Sequence, residues 1–194
     1  TNLVLLQMYY TVFYESNIIT RNVVLLNNNE KILSIRKLMS FMLDLNIPDP
    51  SMIKLSGGWI KETHIDEVKL SRGLYVNEST TGASSNRHNP GIILHTGKTC
   101  EDYGNAYGFN IIYSGNHYEA VDVDSNGFVR VMGGINPHCF EWNLEKGEKF
   151  ETPKAVLTFS SDGFNGISRN FHNFINNHII RGEYKNKIRP VLLN

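Results

Sequence analysis

Cysteine is scarce in this chain: Cys100 and Cys139 are the two among 194 residues. Their separation fits no metal-ligand spacing, and neither sits in a motif that would mark an activated nucleophile. One disulfide between them is feasible, and two free thiols in a reducing cytosol is the simpler reading. An excess of charge is also lacking, because Lys plus Arg and Asp plus Glu each total 19. A chain of zero net charge has nothing with which to recruit nucleic acid or an anionic membrane. No apolar run approaches the roughly 20 residues of a spanning helix. No basic-then-apolar leader opens the chain, and internal repeats and low-complexity tracts are missing.

What is present suits a packed core. The chain is 41% hydrophobic and 11% aromatic, which argues against disorder. Its length allows one large domain or two small ones. Residues 3–15, 18–26, 52–55, 59–68, 75–81, 92–95, 107–113, 118–124, 128–132 and 155–159 read as strands. They are bounded by Gly, Asn, Ser and Pro. Ser125-Asn126-Gly127 is a hairpin signal, since Asn-Gly tolerates positive φ. Gly57-Gly58 reads as a tight bend. Residues 32–45 show no clean period and read as a bulged or doubly buried strand, with a helix as the rival.

One late segment is helical in pattern. Over 166–181, Ile167, Phe171, Phe174, Ile175, His178 and Ile179 fall on one face. Ser161 or Asp162 is the expected cap, and Arg181-Gly182 the expected stop. Many closely spaced strands with a single late helix imply a mainly β fold, an antiparallel β-sandwich.

Several polar and aromatic residues are candidates for function. Residues 82–91 read as a loop, and within it Arg87 and Asn89 can donate to sugar hydroxyls while His88 can donate and accept. Fixing of the loop by His88 and Asn89 is the competing structural reading. Trp59 and Trp142 could stack on a sugar ring, although packing is the simpler role for each. Trp142 shares a face with Phe140 and reads as core, whereas Trp59 is expected to be the more exposed. Asp122 and Asp124 read as solvated charges rather than a catalytic dyad. His138 lacks a third ligand nearby, so no metal site is expected.

A family resemblance runs through the same residues. Tyr107-Gly108-Phe109 with Tyr113-Ser114-Gly115-Asn116, then Gly134-Ile135-Asn136-Pro137, then Thr152-Pro153-Lys154-Ala155-Val156, resembles the amino-terminal domain of family 36 α-galactosidases. Gly82-Ala83-Ser84-Ser85 with His88-Asn89-Pro90 is similar to a loop of that family, and the tail from Arg189 to Asn194 is similar to the segment that enters its catalytic barrel. The resemblance implies a galactose mutarotase-like supersandwich, of which residues 1–160 form the later part. It implies a linker helix region over 161–187 and the start of a barrel over 188–194. A chain that opens in one strand and closes on an apolar run is expected to be a segment of something longer.

The resemblance also implies a parent that hydrolyses terminal α-galactosides of the melibiose or raffinose type with retention, in the cytoplasm and without a cofactor. Retention needs two carboxyls about 5–5.5 Å apart. In the family these lie on barrel strands, and Asp162 matches neither motif, so no catalytic residue is assigned here. The implied partners are the chain's own barrel, neighbouring subunits (often a tetramer) and α-galactosides. Trp59, Arg87, His88 and Asn89 are the residues expected to face sugar or an interface. The side facing the barrel is expected to expose an apolar patch. Two other readings are a stand-alone carbohydrate-binding module and a sugar mutarotase-like enzyme. The latter would need a His and a carboxylate in a cleft, for which His88 with Glu101 or Asp102 is the available pairing.

Overall fold

The computed structural model describes residues 3–188 and 190–193. Among the described residues, fourteen strands and one α-helix follow one another. They are β1 (Val4–Phe13), β2 (Ile18–Asn27), β3 (Leu33–Ile35), β4 (Met39–Leu45), β5 (Pro50–Gly58), β6 (Lys61–Lys69), β7 (Gly73–Glu78), β8 (His88–Thr96), β9 (Ala106–Ile111), β10 (His117–Val123), β11 (Val129–Ile135), β12 (Trp142–Leu144), β13 (Lys149–Glu151), β14 (Ala155–Ser160) and α1 (Gly163–Phe174). A π-helical turn, Ile175–Ile179, extends the helix.

The large sheet runs β1-β2-β14-β9-β8-β5-β6, with β13 also paired to β2. A four-stranded sheet, β4-β11-β10-β7, lies against it, and β3 and β12 form a small ribbon. Every pairing among these named strands is antiparallel. The expected antiparallel sandwich is therefore present. Its core unites Met52, Ile92, Leu94, Phe109 and Ile111 of the large sheet with Phe41, Val121, Val123, Val129 and Val131 of the smaller one. These residues occupy alternate positions of each strand, as the period of two requires.

β13 and β14 lie in line along the same edge of β2, separated by Thr152-Pro153-Lys154. Proline has no N–H to give to a ladder. Thr152 closes the gap: its amide donates to the Val23 carbonyl at 2.9 Å, and its hydroxyl accepts the Val23 amide at 3.0 Å.

α1 covers the outer face of the large sheet. Phe174 packs with Ile18, Val156, Phe13 and Phe171. Gly108 of β9 lets the helix approach, because a Cβ there would lie 2.7 Å from Phe171 and 2.9 Å from Ile167. Neither Ser161 nor Asp162 caps the helix amides as expected. Backbone carbonyls do so instead: the Phe164 and Asn165 amides donate to the carbonyls of Cys100 and Glu101 at 3.0 and 2.9 Å. Gly163 (φ +67°) makes this turn, where a side chain would meet the Cys100 carbonyl.

Three details differ from the sequence reading. Residues 32–45 form two strands, β3 and β4, in different sheets, so a single period cannot span them. Gly57-Gly58 closes β5 at a register shift, and the hairpin turn itself falls on Trp59-Ile60. Trp142 is 51% exposed, not core, although it does share a packing partner with Phe140, since both rings lie against Phe150. Of the expected barrel-entry tail, Arg189 and Asn194 lie outside the described residues, as do Thr1 and Asn2 at the front. Val191, Leu192 and Leu193 are exposed.

The large sheet is wider than its covers. Leu6, Met8, Tyr10 and Val12 of β1 are exposed on the inner side, next to Ile19 and Phe159. They flank an apolar groove of about 270 Å³ that reaches Leu43, Leu45 and Leu157. Exposed apolar surface of this kind promotes association. The 194-residue chain is expected to bind an apolar dye and to self-associate, and Met8→Lys with Val12→Lys should reduce both. A wild-type chain that sediments as a monomer at high concentration without dye enhancement would contradict this.

Candidate functional site

The sequence-nominated residues gather at one end of the sandwich. Trp59 occupies the two-residue turn between β5 and β6 and is 88% exposed. Ile60 beside it has φ +59°, a costly conformation for a β-branched residue that a tight hairpin turn imposes. The hairpin lies against the segment that carries Arg87. The Gly57 amide donates to the Arg87 carbonyl at 3.4 Å, and Ser56 pairs with His88. Gly57 permits this approach, because a Cβ would fall 2.7 Å from the Lys61 carbonyl and 2.8 Å from that of Asn86.

His88 and Asn89 open β8 rather than lying in the loop expected over 82–91. The Arg87 and His88 side chains are exposed, and Asn89 is half-buried. Asn89 donates from its amide to the Leu55 carbonyl at 3.2 Å, so it fixes the backbone, as the structural reading of this residue anticipates. Arg87 and His88, with Lys54, Glu78, Thr80 and Thr81, line a cleft of about 350 Å³. These groups offer charged and neutral donors and acceptors to a polyhydroxylated ligand.

Beneath this rim the sandwich interior is polar. His117 and Glu119 project inward from β10 at positions where Val121 and Val123 supply core farther along. Both are fully buried, with Nδ1 of His117 3.7 Å from Oε2 of Glu119. Asn77 of β7 donates to Glu119 Oε2 at 2.7 Å and to the Asn89 carbonyl at 2.8 Å. His117 Nε2 lies 2.9 Å from the His88 carbonyl. Because a carbonyl only accepts, Nε2 carries a proton. Burial pushes the Glu119 carboxyl up to about 8, against the Asn77 hydrogen bond, which lowers it. Burial likewise pushes His117 down.

Asn136 ties the neighbouring chain segments together. Its amide lies 2.9 Å from Glu78 Oε2, 3.0 Å from the Ser79 carbonyl and 3.3 Å from the His117 carbonyl. Its own side-chain oxygen accepts the His138 amide. The loop after β7 is pinned further by Ser79 to the Ala83 carbonyl, by the Gly82 amide to Asn116 and by the Ser84 amide to the Ser114 carbonyl.

Other nominated groups lie elsewhere. His88 begins β8, whereas Glu101 and Asp102 follow its far end, about 26 Å along the strand; Asp102 there accepts from Asn165. That pairing is not formed. Asp124 accepts the Asn126 and Phe128 amides and shapes the β10–β11 turn, and Asp122 pairs across from Arg130. Both are exposed, as a solvated pair would be. The His–carboxylate contacts that do form are His95 with Glu67 at 3.3 Å and, at this end, His117 with Glu119, neither of them among the residues the sequence nominates. The signal of the latter is two polar residues in phase with Val121 and Val123.

Residues 2–145 match the family model described as the glycosyl hydrolase family 36 N-terminal domain, and residues 149–194 match the model described as melibiase. The chain is 36% identical over 187 residues to the alpha-galactosidase AgaA of Geobacillus stearothermophilus, covering 96% of this chain and 26% of that protein. It is 35% identical to the alpha-galactosidase Mel36A of Lactobacillus acidophilus, with the same coverage. A crystal structure of an AgaA variant in complex with stachyose superposes with a TM-score of 0.94 at 35% identity, covering 97% of this chain and 26% of that one. The chain thus spans about a quarter of the length of the curated relatives it matches.

Asn136→Ala removes a buried donor from three acceptors, each of which then loses a partner. Such a loss costs about 1–3 kcal/mol, and urea unfolding of the variant should show a decrease in that range with an unchanged m-value. A variant as stable as the parent would mean that the three contacts contribute nothing net.

Proposed function

Because this chain belongs to the family of glycosyl hydrolase family 36 N-terminal domains, we propose that it is the non-catalytic sandwich of an α-galactosidase. In this reading the parent hydrolyses terminal α-galactosides of the melibiose or raffinose type with retention. The observation that carries it is the division of the family matches. The N-terminal domain model takes residues 2–145, and the melibiase model meets only residues 149–194. Residues 1–160 then act as the supporting sandwich, 161–187 as the linker helix region and 188–194 as the approach to a barrel.

The chemistry of the rim agrees with a binding role. General acid–base groups must reach the reacting atoms. Of the His–carboxylate contacts among the described residues, His117 with Glu119 is sealed from solvent, and the contact of His95 with Glu67 at 3.3 Å has its imidazole buried. Solvent meets an indole, a guanidinium and an imidazole instead, on backbone that is held from below. We assign Trp59, Arg87 and His88 to contact with an α-galactoside or with a neighbouring subunit near its pocket, with Asn89 holding the strand that carries them. A homo-oligomer, as the resemblance implies, brings such a rim to a second active site. A cytoplasmic parent fits the two exposed free thiols. No helix among the described residues is long and apolar enough to cross a membrane. A stand-alone carbohydrate-binding module is the second reading, favoured by the exposure of Trp59.

Three measurements test these readings. The purified 194-residue chain should not release nitrophenol from 4-nitrophenyl α-galactoside, and measurable turnover would overturn the non-catalytic assignment. In a chain that continues through the barrel, Trp59→Ala should raise KM for raffinose roughly three- to tenfold with little change in kcat, equivalent to about 1 kcal/mol of lost ring contact. An unchanged KM would remove Trp59 from the rim. Sugar binding by the isolated chain, monitored through Trp59 fluorescence, would favour the module instead.

A further inference from the structure

We propose that His117 and Glu119 hold one shared proton inside the sandwich, and that this proton latches the rim by keeping the carbonyls of His88 and Asn89 clamped. The inference rests on the reading above only for its consequence, since these carbonyls lie on the strand start that carries the proposed contact residues.

Proton counting on the observed geometry leads to this assignment. His117 Nε2 faces the His88 carbonyl at 2.9 Å and must donate. In a neutral ring Nδ1 is then a bare acceptor, and it faces Glu119 Oε2 at 3.7 Å. Two acceptors oppose each other unless a proton is available between them. A proton on Glu119 makes the contact complementary, and so does its transfer to Nδ1, which gives an imidazolium–carboxylate pair. Both arrangements carry the same single proton and no net charge. Losing it leaves an uncompensated carboxylate in a fully buried place, which is a costly state. Nδ1 of His117 and Oε1 of Glu119 have no hydrogen-bond partner among the described residues, so the neutral Asn77 amide on Oε2 offsets that charge only in part.

The surroundings supply no substitute cation. The residues paired with Glu119 are Gly133 on β11 and Asn77 on β7, neither of them ionisable. Asn77 donates to Glu119 and to the Asn89 carbonyl, so a shift of the carboxylate moves that clamp too. The nearby ionisable groups are Glu78 on β7, His88 on β8, Lys54 on β5, Arg87 before β8 and His138 after β11. Lys54, Glu78, Arg87 and His88 line the cleft, and Glu78 acts on His117 as a negative charge.

The pH dependence has a definite sign. Glu119 titrates near 4.5 when unfolded and is pushed up to about 8 by burial in the folded chain. Its contribution to stability is therefore full below about 4.5 and is lost as pH rises through about 8. His117 is held below its ordinary 6.5, so its contribution is present above 6.5 and lost as pH falls through the lower folded value. A neutral ring and a protonated acid coexist between these limits, and the latch opens on the alkaline side.

The test is amide hydrogen exchange of this chain between pH 6 and 9, corrected for intrinsic exchange. Protection of the Gly57, Ser79 and Ser84 amides, relative to those of Phe109 and Val131, should fall at least tenfold above pH 8. Glu119→Gln cannot ionise; an amide nitrogen beside Nδ1 no longer accepts from Asn77, which lowers protection at every pH, and protection should stay flat across the range. Equal pH profiles in the two proteins would overturn the latch. In case the variant does not fold, carbon NMR of the wild-type Glu119 carboxyl decides alone. A midpoint above 7 supports the shared proton, and a midpoint near 4.5 refutes it. Neither readout uses a sugar or a barrel, so failure of the α-galactosidase reading would leave both results unchanged.

Discussion

The two sheets are held to each other by a stacked pair of rings. Phe109 of β9 and Phe41 of β4 lie 5.4 Å apart between centroids and are parallel to within 2°. The stack requires space on the neighbouring strand: a Cβ on Gly133 would sit 2.5 Å from the Phe41 ring. It also sets the phase of β9. With Phe109 and Ile111 turned inward, Gly108 must face outward, where Phe171 and Ile167 of α1 fill the space above it. A slip of one residue would exchange these faces, putting a glycine in the core and a phenylalanine under the helix. Core, sheet pairing and helix docking are consequences of one register.

That register becomes polar toward one end. β10 presents Val121 and Val123 to the apolar centre, then Glu119 and His117 two and four positions earlier. A run of alternating positions that changes from valine to charged or titratable groups cannot be explained by core packing alone. The exchange is compensated by hydrogen bonds to backbone carbonyls of β8, so polar side chains replace apolar contact as the link between sheets. Such networks cost stability when half satisfied and give rigidity when complete. Their position beneath Arg87 and His88 places that rigidity where exposed donors need fixed positions.

The parts of the fold legible from sequence are those whose neighbours are local. The β1–β2 hairpin, the β10–β11 hairpin and the helix with Ile167, Phe171 and Phe174 on one face follow from period and turn chemistry. What escaped depends on distant partners. The two strands within 32–45 belong to separate sheets, which no local window shows. Asp162 looks like a cap, but carbonyls about sixty residues earlier meet the helix amides. Trp142 shares Phe150 with Phe140 yet lies on a ribbon too small to bury an indole. At the site, Trp59 was legible through its glycines, although the turn lies on Trp59 and Ile60 themselves. His88 and Asn89 look like loop in sequence because Gly82 to Asn86 precede them, and the pairing of this strand start with β5 is long-range.

The same geometry separates binding from reaction. A carboxylate and an imidazole that no solvent reaches cannot exchange protons with a substrate, whatever their affinity for protons. The groups beside the cleft at that end are exposed, polar and carried by backbone whose carbonyls are individually held. Rigid placement of donors lowers the ordering cost of a contact. The wider sheet leaves the inner side of β1 uncovered, an apolar surface that the described residues do not bury by themselves.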